Sequence, residues 1–302
     1  MKNPEHNYAR GFLFGLSAYI IWGGFPIIIS MLGFASAFEI ISWRIIFSFI
    51  TAIILIAYTK TFHSIIEVFK NRRNLIWVLA SAILIFINWS IYVIAVASQQ
   101  VVEASLGYFI NPLVTILLAV FFLKEKLGRA QWIAVGFGAA AVIVLSFDYG
   151  RLPWIALSLA ASFGVYGLAK NKLGGKVTAL TSFAIESGLV VPLGILQLIL
   201  VDLIGGGLMF ASQGVGGSLG LVGYGVLTAI PLILFGSAAR YVPLRYIGFM
   251  QYISPILQFL VGILYLHEPM PAARWFGFGL VWCGLLVLIV DGVRSLRNQN
   301  VT

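Results

Sequence analysis

Two short stretches carry polar side chains at matching spacing inside apolar runs: YFINPLVT at residues 108–115 and QYISPILQ at residues 251–258. Tyr108, Asn111 and Thr115 follow i, i+3, i+7 spacing, and Gln251, Ser254 and Gln258 repeat it, so each triplet occupies one face of a helix. Phenol, hydroxyl and amide groups offer neutral hydrogen-bond recognition rather than acid–base chemistry. Each triplet also surrounds a proline, Pro112 or Pro255, which lacks an N–H and clashes with the carbonyl four residues earlier, at Tyr108 or Gln251. A carbonyl freed in apolar surroundings is tolerated where protein, water or ligand satisfies it. The two stripes therefore read either as two walls of one cavity or as interhelical hydrogen bonds that tie a bundle together.

Asn88, Tyr92 and Gln99, with Trp89 alongside, form a third polar stripe, whose counterpart in the second half is the apolar set Pro231, Phe235 and Val242. A pocket built this way is asymmetric. Tyr19, Trp22, Phe163 and Tyr166 add aromatic surface. Arg44 and Glu186 fall well inside apolar segments, where an unpaired charge costs at least about 2.5–3.5 kcal/mol. Such groups need a partner or a cavity. They are expected to pair with each other, either permanently or in one of two states. Glu39 and Glu103 begin their helices and read as caps or as a vestibule. Glu125 and Glu268 occupy equivalent helix-end corners and read as structural. The histidines, His6, His63 and His267, lie in the tail or in loops, so no Ser-His pair or metal-ligand spacing appears in the core. No metal or other cofactor is expected, and intramembrane enzyme chemistry is disfavoured.

These residues need elements to hold them, and composition says which. The 302 residues are 61% hydrophobic and 10% charged, far from a soluble domain. A bilayer core of about 30 Å needs roughly 20 apolar residues per crossing. Ten segments meet or approach that length: 10–32, 37–58, 74–97, 103–123, 129–148, 152–170, 177–204, 219–239, 245–266 and 272–293. The polar start MKNPEHNYAR does not resemble a cleaved signal, and the single Cys283 excludes an internal disulfide. Apart from Arg44, Arg151 and Arg274, all 19 Lys and Arg residues fall in the two tails and in alternate loops. That pattern excludes a nucleic-acid footprint and places both termini in the cytoplasm.

Pro255 minus Pro112 gives an offset of 143 residues, and holding it without a gap aligns 84–148 with 227–291. Ala95, Glu125, Trp132, Gly136 and Asp148 then match Ala238, Glu268, Trp275, Gly279 and Asp291. With five helices in each half, 1–150 and 151–302, the second repeat enters the membrane from the opposite side. LKEKLGRAQW recurs as LHEPMPAARW with Lys124, Lys126 and Arg129 replaced, which fits the inversion. Inverted repeats are a feature of secondary transporters with a midplane site. Gly11, Gly15, Gly277, Gly279 and Gly284 suit close helix approach, and 205–218 reads as a flexible linker without chemistry.

WRIIF, EASLGYFINPLV, LKEKLGRAQW and GFMQYISPIL resemble the RarD-like branch of the EamA family, in the drug/metabolite transporter superfamily. The resemblance implies an all-α integral membrane protein of a bacterial inner membrane, with ten transmembrane helices in two inverted five-helix repeats. It also implies a permease for small organic solutes such as amino acids and other metabolites, usually outward. Partners are then a small-molecule substrate and the lipid bilayer, with monomer and homodimer both open. The expected lining is Tyr19, Trp22, Arg44, Asn88, Tyr92, Tyr108, Asn111, Thr115, Glu186, Gln251, Ser254 and Gln258. A membrane sensor or scaffold is the other reading.

Overall fold

The computed structural model describes residues 4–124, 127–173, 177–242 and 250–299. Among these the chain is helical: α1 Pro4–Met31, α2 Ala37–Thr59, α3 Phe62–Lys70, α4 Arg72–Ala97, α5 Val101–Leu123, α6 Arg129–Tyr149, α7 Trp154–Leu173, α8 Ala179–Ile204, α9 Gly214–Tyr241, α10 Ile253–Leu260 and α11 Ala272–Gln299. A π-helical turn, Val261–Tyr265, extends α10. Eight of the described helices are long and apolar enough to cross a membrane, and the apolar helices Trp154–Lys170 and Ile253–Tyr265 are shorter.

Local chemistry sets several helix ends. Ser36, Asn71 and Thr178 cap α2, α4 and α8, their side chains accepting backbone N–H groups of the first turn. Lys60 closes α2 in the left-handed region. The perimeter is apolar, with Ile54, Ile83, Ile143 and Leu286 each more than half exposed. Water would penalise such a surface and hydrocarbon does not.

The strongest packing pairs are α6 with α11, α2 with α8, α5 with α7, α1 with α9 and α4 with α7. The 143-residue offset carries α2 onto α8, α6 onto α11, α4 onto α9 and α5 onto the α10 segment; it also relates α1 to α7. Under it α2–α8 and α6–α11 map onto themselves, α1–α9 maps onto α4–α7, and α5–α7 maps onto α1–α10. Where helices approach closely, glycines permit it. A Cβ on Gly107 would lie 2.7 Å from the Ala156 carbonyl oxygen, and one on Gly225 would lie 2.4 Å from Phe47 Cβ. Gly11, Gly15, Gly277 and Gly284 also face close neighbours, whereas Gly279 opens onto free space.

Three features depart from the sequence expectation. The short helix α3 lies where a connector was expected, burying Val68 inward and leaving Phe62, Ile66 and Phe69 exposed on one face. The two prolines behave differently: α5 runs through Pro112, while Gln251 and Tyr252 form a turn and Pro255 sits in the first turn of α10. First-turn N–H groups have no intrahelical acceptor, so the missing donor costs nothing there. The segment 205–218 is also more than a linker. The backbone N–H groups of Met209 and Phe210 donate to the buried Glu39 carboxylate at 3.0 and 2.8 Å. Phe210 packs on Trp43 with ring centroids 4.4 Å apart, and α9 begins within the segment, at Gly214.

Candidate functional site

Arg44 projects from α2 and is 3% exposed. On α2 it shares a face with Ser48, whose hydroxyl donates to the Gly225 carbonyl of α9. Ser42, two residues before Arg44, instead turns to Gln197 of α8. Arg44 is thereby aimed at α9 and α4. Its Nε donates to Thr228 Oγ1 at 3.2 Å, and its guanidinium carbon lies 4.3, 5.1 and 5.8 Å from the ring centroids of Trp89, Tyr224 and Phe25. Cation–π contact of this kind contributes up to about 2 kcal/mol when desolvated, which offsets part of the burial cost. Arg44 Nη1 is buried with no hydrogen-bond partner among the described residues.

The expected pairing of Arg44 with Glu186 is not what this structure holds. Glu186, on α8, forms an ion pair with Lys170 of α7 at 2.5 Å and accepts from Ser182 and Tyr166. The face of α2 that carries Arg44 looks toward α9, so each charge has found a different environment. Lys170 was the missed partner. It lies at the end of an apolar run and reads in sequence as a cytoplasmic loop cation.

Beside Arg44, α4, α5 and α7 form an amide-centred cluster. Asn88 Nδ2 donates to the Leu159 carbonyl and to Ser162 Oγ at 3.1 and 3.0 Å, and Asn88 Oδ1 accepts from the Tyr108 hydroxyl at 3.2 Å. Tyr108 stands edge-on to Tyr92 and Phe163, with centroids 5.8 and 6.1 Å apart. The Tyr92 and Tyr224 hydroxyls are buried without partners among the described residues, as is Asn111 Oδ1 one turn beyond Tyr108.

A second group joins α1, α9 and α10. Gln258 Nε2 donates to the Trp22 carbonyl and to Ser254 Oγ, both at 3.3 Å, while its Oε1 is buried without a partner among the described residues. Next to Trp22, Tyr19 meets Trp22 and Phe235 in T-shaped contacts and Phe235 tilts against Trp22. The stripe expectation thus holds for Ser254 and Gln258. Thr115 and Gln251 are not brought to either group: both are exposed, and Thr115 bonds the Asn111 carbonyl of its own helix. Glu125 lies outside the described residues.

At the ends where α5 and α7 begin, carboxylates tie the helices together. Glu268 accepts the first N–H groups of α5, from Val101 and Val102, at 2.6 and 2.9 Å. Glu103 accepts from Arg151 and from the Ile155 N–H, and Arg274 pairs with Asp148 at 2.9 Å. The two loop arginines that break the charge pattern are therefore both neutralised. Beside them lies a cleft of about 280 Å³ lined by Gln99, Gln100, Tyr149 and Pro269 together with Glu103, Arg151, Glu268 and Arg274. Burial raises the Glu268 carboxyl above its ordinary value, against the lowering effect of its backbone bonds and of Arg274.

A helical bundle with an apolar perimeter and buried polar groups from both halves of the chain is the architecture of an integral membrane protein. Residues 9–147 match the EamA-like transporter family. Protein RarD of Streptomyces exfoliatus is 43% identical over 98% of this chain and 93% of its own length. The uncharacterized transporter YojE of Bacillus subtilis is 36% identical over 96% and 97% of the two chains, and Protein RarD of Escherichia coli is 34% identical over 96% and 97%. A solved crystal structure at 17% identity superposes with a TM-score of 0.60, covering 95% of this chain and 99% of the other, which shows a common fold. The chain belongs to the EamA family of the drug/metabolite transporter superfamily, with RarD proteins among its homologues, and is a bacterial multi-pass membrane protein.

Proposed function

We propose that the protein is an inner-membrane permease that moves a small organic solute, outward, by alternating access. In this reading 1–150 and 151–302 are inverted five-helix repeats, ten helices cross the bilayer, and both termini face the cytoplasm. The contact pairs that map onto one another at the 143-residue offset support it, as does the distribution of Lys and Arg. The observation that carries the reading is a group of five buried polar atoms, out of nine buried side-chain atoms that have no hydrogen-bond partner among the described residues. Arg44 Nη1, Tyr92 and Tyr224 hydroxyls, Asn111 Oδ1 and Gln258 Oε1 come from both halves. Native interiors leave few such groups unsatisfied, and a transported solute supplies partners of the required kind. The proposed lining is Tyr19, Trp22, Arg44, Asn88, Tyr92, Tyr108, Asn111, Ser254 and Gln258, with Glu186 at its edge. Thr115 and Gln251 stand at the periphery.

The test is solute flux into proteoliposomes containing the purified protein, with amino acids, nucleosides and aromatic drugs as candidate solutes. Tyr92→Phe and Asn111→Leu, which remove groups left without a partner among the described residues, are expected to insert and fold but to lose flux by at least about tenfold, as expected for a lost buried hydrogen bond to ligand. Wild-type flux in both variants would move the site elsewhere.

A further inference from the structure

The geometry points to Arg44 as the receptor for a carboxylate on the transported solute, so that the substrate is an organic monoanion with an aromatic or apolar body. This rests on the permease reading above and assigns its substrate class. Arg44 is buried, and its one hydrogen bond among the described residues leaves from Nε, so the end of the guanidinium bearing Nη1 is uncommitted. No described residue supplies its counter-charge. Among the described residues the buried carboxylates are all engaged elsewhere: Glu39 with Met209 and Phe210, Glu103 with Arg151, Glu186 with Lys170, and Glu268 with the start of α5.

A planar guanidinium with a free edge matches a carboxylate, whose two oxygens accept parallel N–H groups. A phosphate dianion would call for a second cation, and no described contact brings one to Arg44: Lys170, the lysine drawn into the bundle, is already neutralised by Glu186. The surroundings define the rest of the ligand. Trp89 and Tyr224 flank the guanidinium, and Tyr92 places an unpartnered hydroxyl in the same cluster of buried residues. Aromatic faces favour an apolar or aromatic body, and the unpartnered phenols of Tyr92 and Tyr224 favour one further polar group upon it.

The experiment compares matched probes on the purified protein. Binding of 3-phenylpropionate and of neutral 3-phenylpropionamide, each up to about 10 mM, is read from the thermal unfolding midpoint. The carboxylate is expected to bind at least about tenfold more tightly than the amide, since only it accepts charge-assisted bonds at both oxygens. Arg44→Gln should erase that preference and Arg44→Lys restore part of it. Equal affinity for the two probes, no binding of the carboxylate, or a preference that survives Arg44→Gln overturns the inference. The wild-type comparison decides the matter even if the variants fail to fold. An Arg44 that merely clamps the aromatic rings would give less stable variants with unchanged probe discrimination. Flux in proteoliposomes separates the two proposals: transport of neutral solutes without carboxylate preference removes the anion site alone. Carboxylate binding by a folded protein that moves no solute removes the permease reading alone.

Discussion

Lys170 and Glu186 show how a charge at the edge of an apolar segment becomes part of the interior. Glu186 is 3% exposed and Lys170 29%, with Ser182 and Tyr166 completing the shell. Lys170→Met leaves a buried carboxylate facing one hydroxyl and one phenol, so it is expected to destabilise the protein by about 2 kcal/mol or more. That lies below the range for a wholly buried pair because the lysine is partly hydrated. The double variant Lys170→Met, Glu186→Gln should be more stable than Lys170→Met alone, measured by thermal unfolding in detergent. A double variant less stable than the single would show that the pair is not the unit of stabilisation.

Among the elements, α5 depends most on a group distant in sequence. Its first two N–H groups end on Glu268, which the π-helical turn Val261–Tyr265 and the loop after it deliver to that spot. An amide at 268 offers one acceptor oxygen and turns an NH₂ toward a backbone N–H. Glu268→Gln is therefore expected to cost about 1–3 kcal/mol, visible as faster hydrogen exchange at the start of α5. Because burial raises the Glu268 carboxyl, the folded protein keeps this proton at pH values where the unfolded chain has released it. The contribution of this group to stability is thus greatest in acid and falls as pH rises through the raised value. The unfolding midpoint of Glu268→Gln should show a smaller decline over that window than the parent. An unchanged slope would assign the pH dependence to another group.

For the whole molecule, the testable property is orientation. On a Cys283→Ser background, a single cysteine at Leu152 and another at Lys2 should react with membrane-impermeant maleimide from opposite faces, Leu152 from outside intact cells. Leu152 is 64% exposed between α6 and α7, so access does not limit labelling. Labelling of both positions from one face would contradict the ten-helix inverted topology.

The parts of this protein most legible in sequence are those set by one-dimensional patterns. Apolar run length located the eight described helices that are long and apolar enough to cross a membrane, because a bilayer demands about 20 residues whatever their neighbours. Cation placement and the 143-residue offset supply the orientation and the repeat that the labelling experiment puts to the test. The polar stripe through Ser254 and Gln258 was readable because helical periodicity puts spaced residues on one face. What required the packed bundle was the angular direction of each face relative to the others. Arg44 and Glu186 are nearly equivalent by repeat, yet two residues of rotation on α2 separate the side toward α8 from the side toward α9. Arg44 therefore meets aromatic rings and Glu186 meets Lys170. Likewise nothing local in Glu268 specifies α5 as the helix it caps, since that contact spans 166 residues and exists only after the chain has folded back on itself.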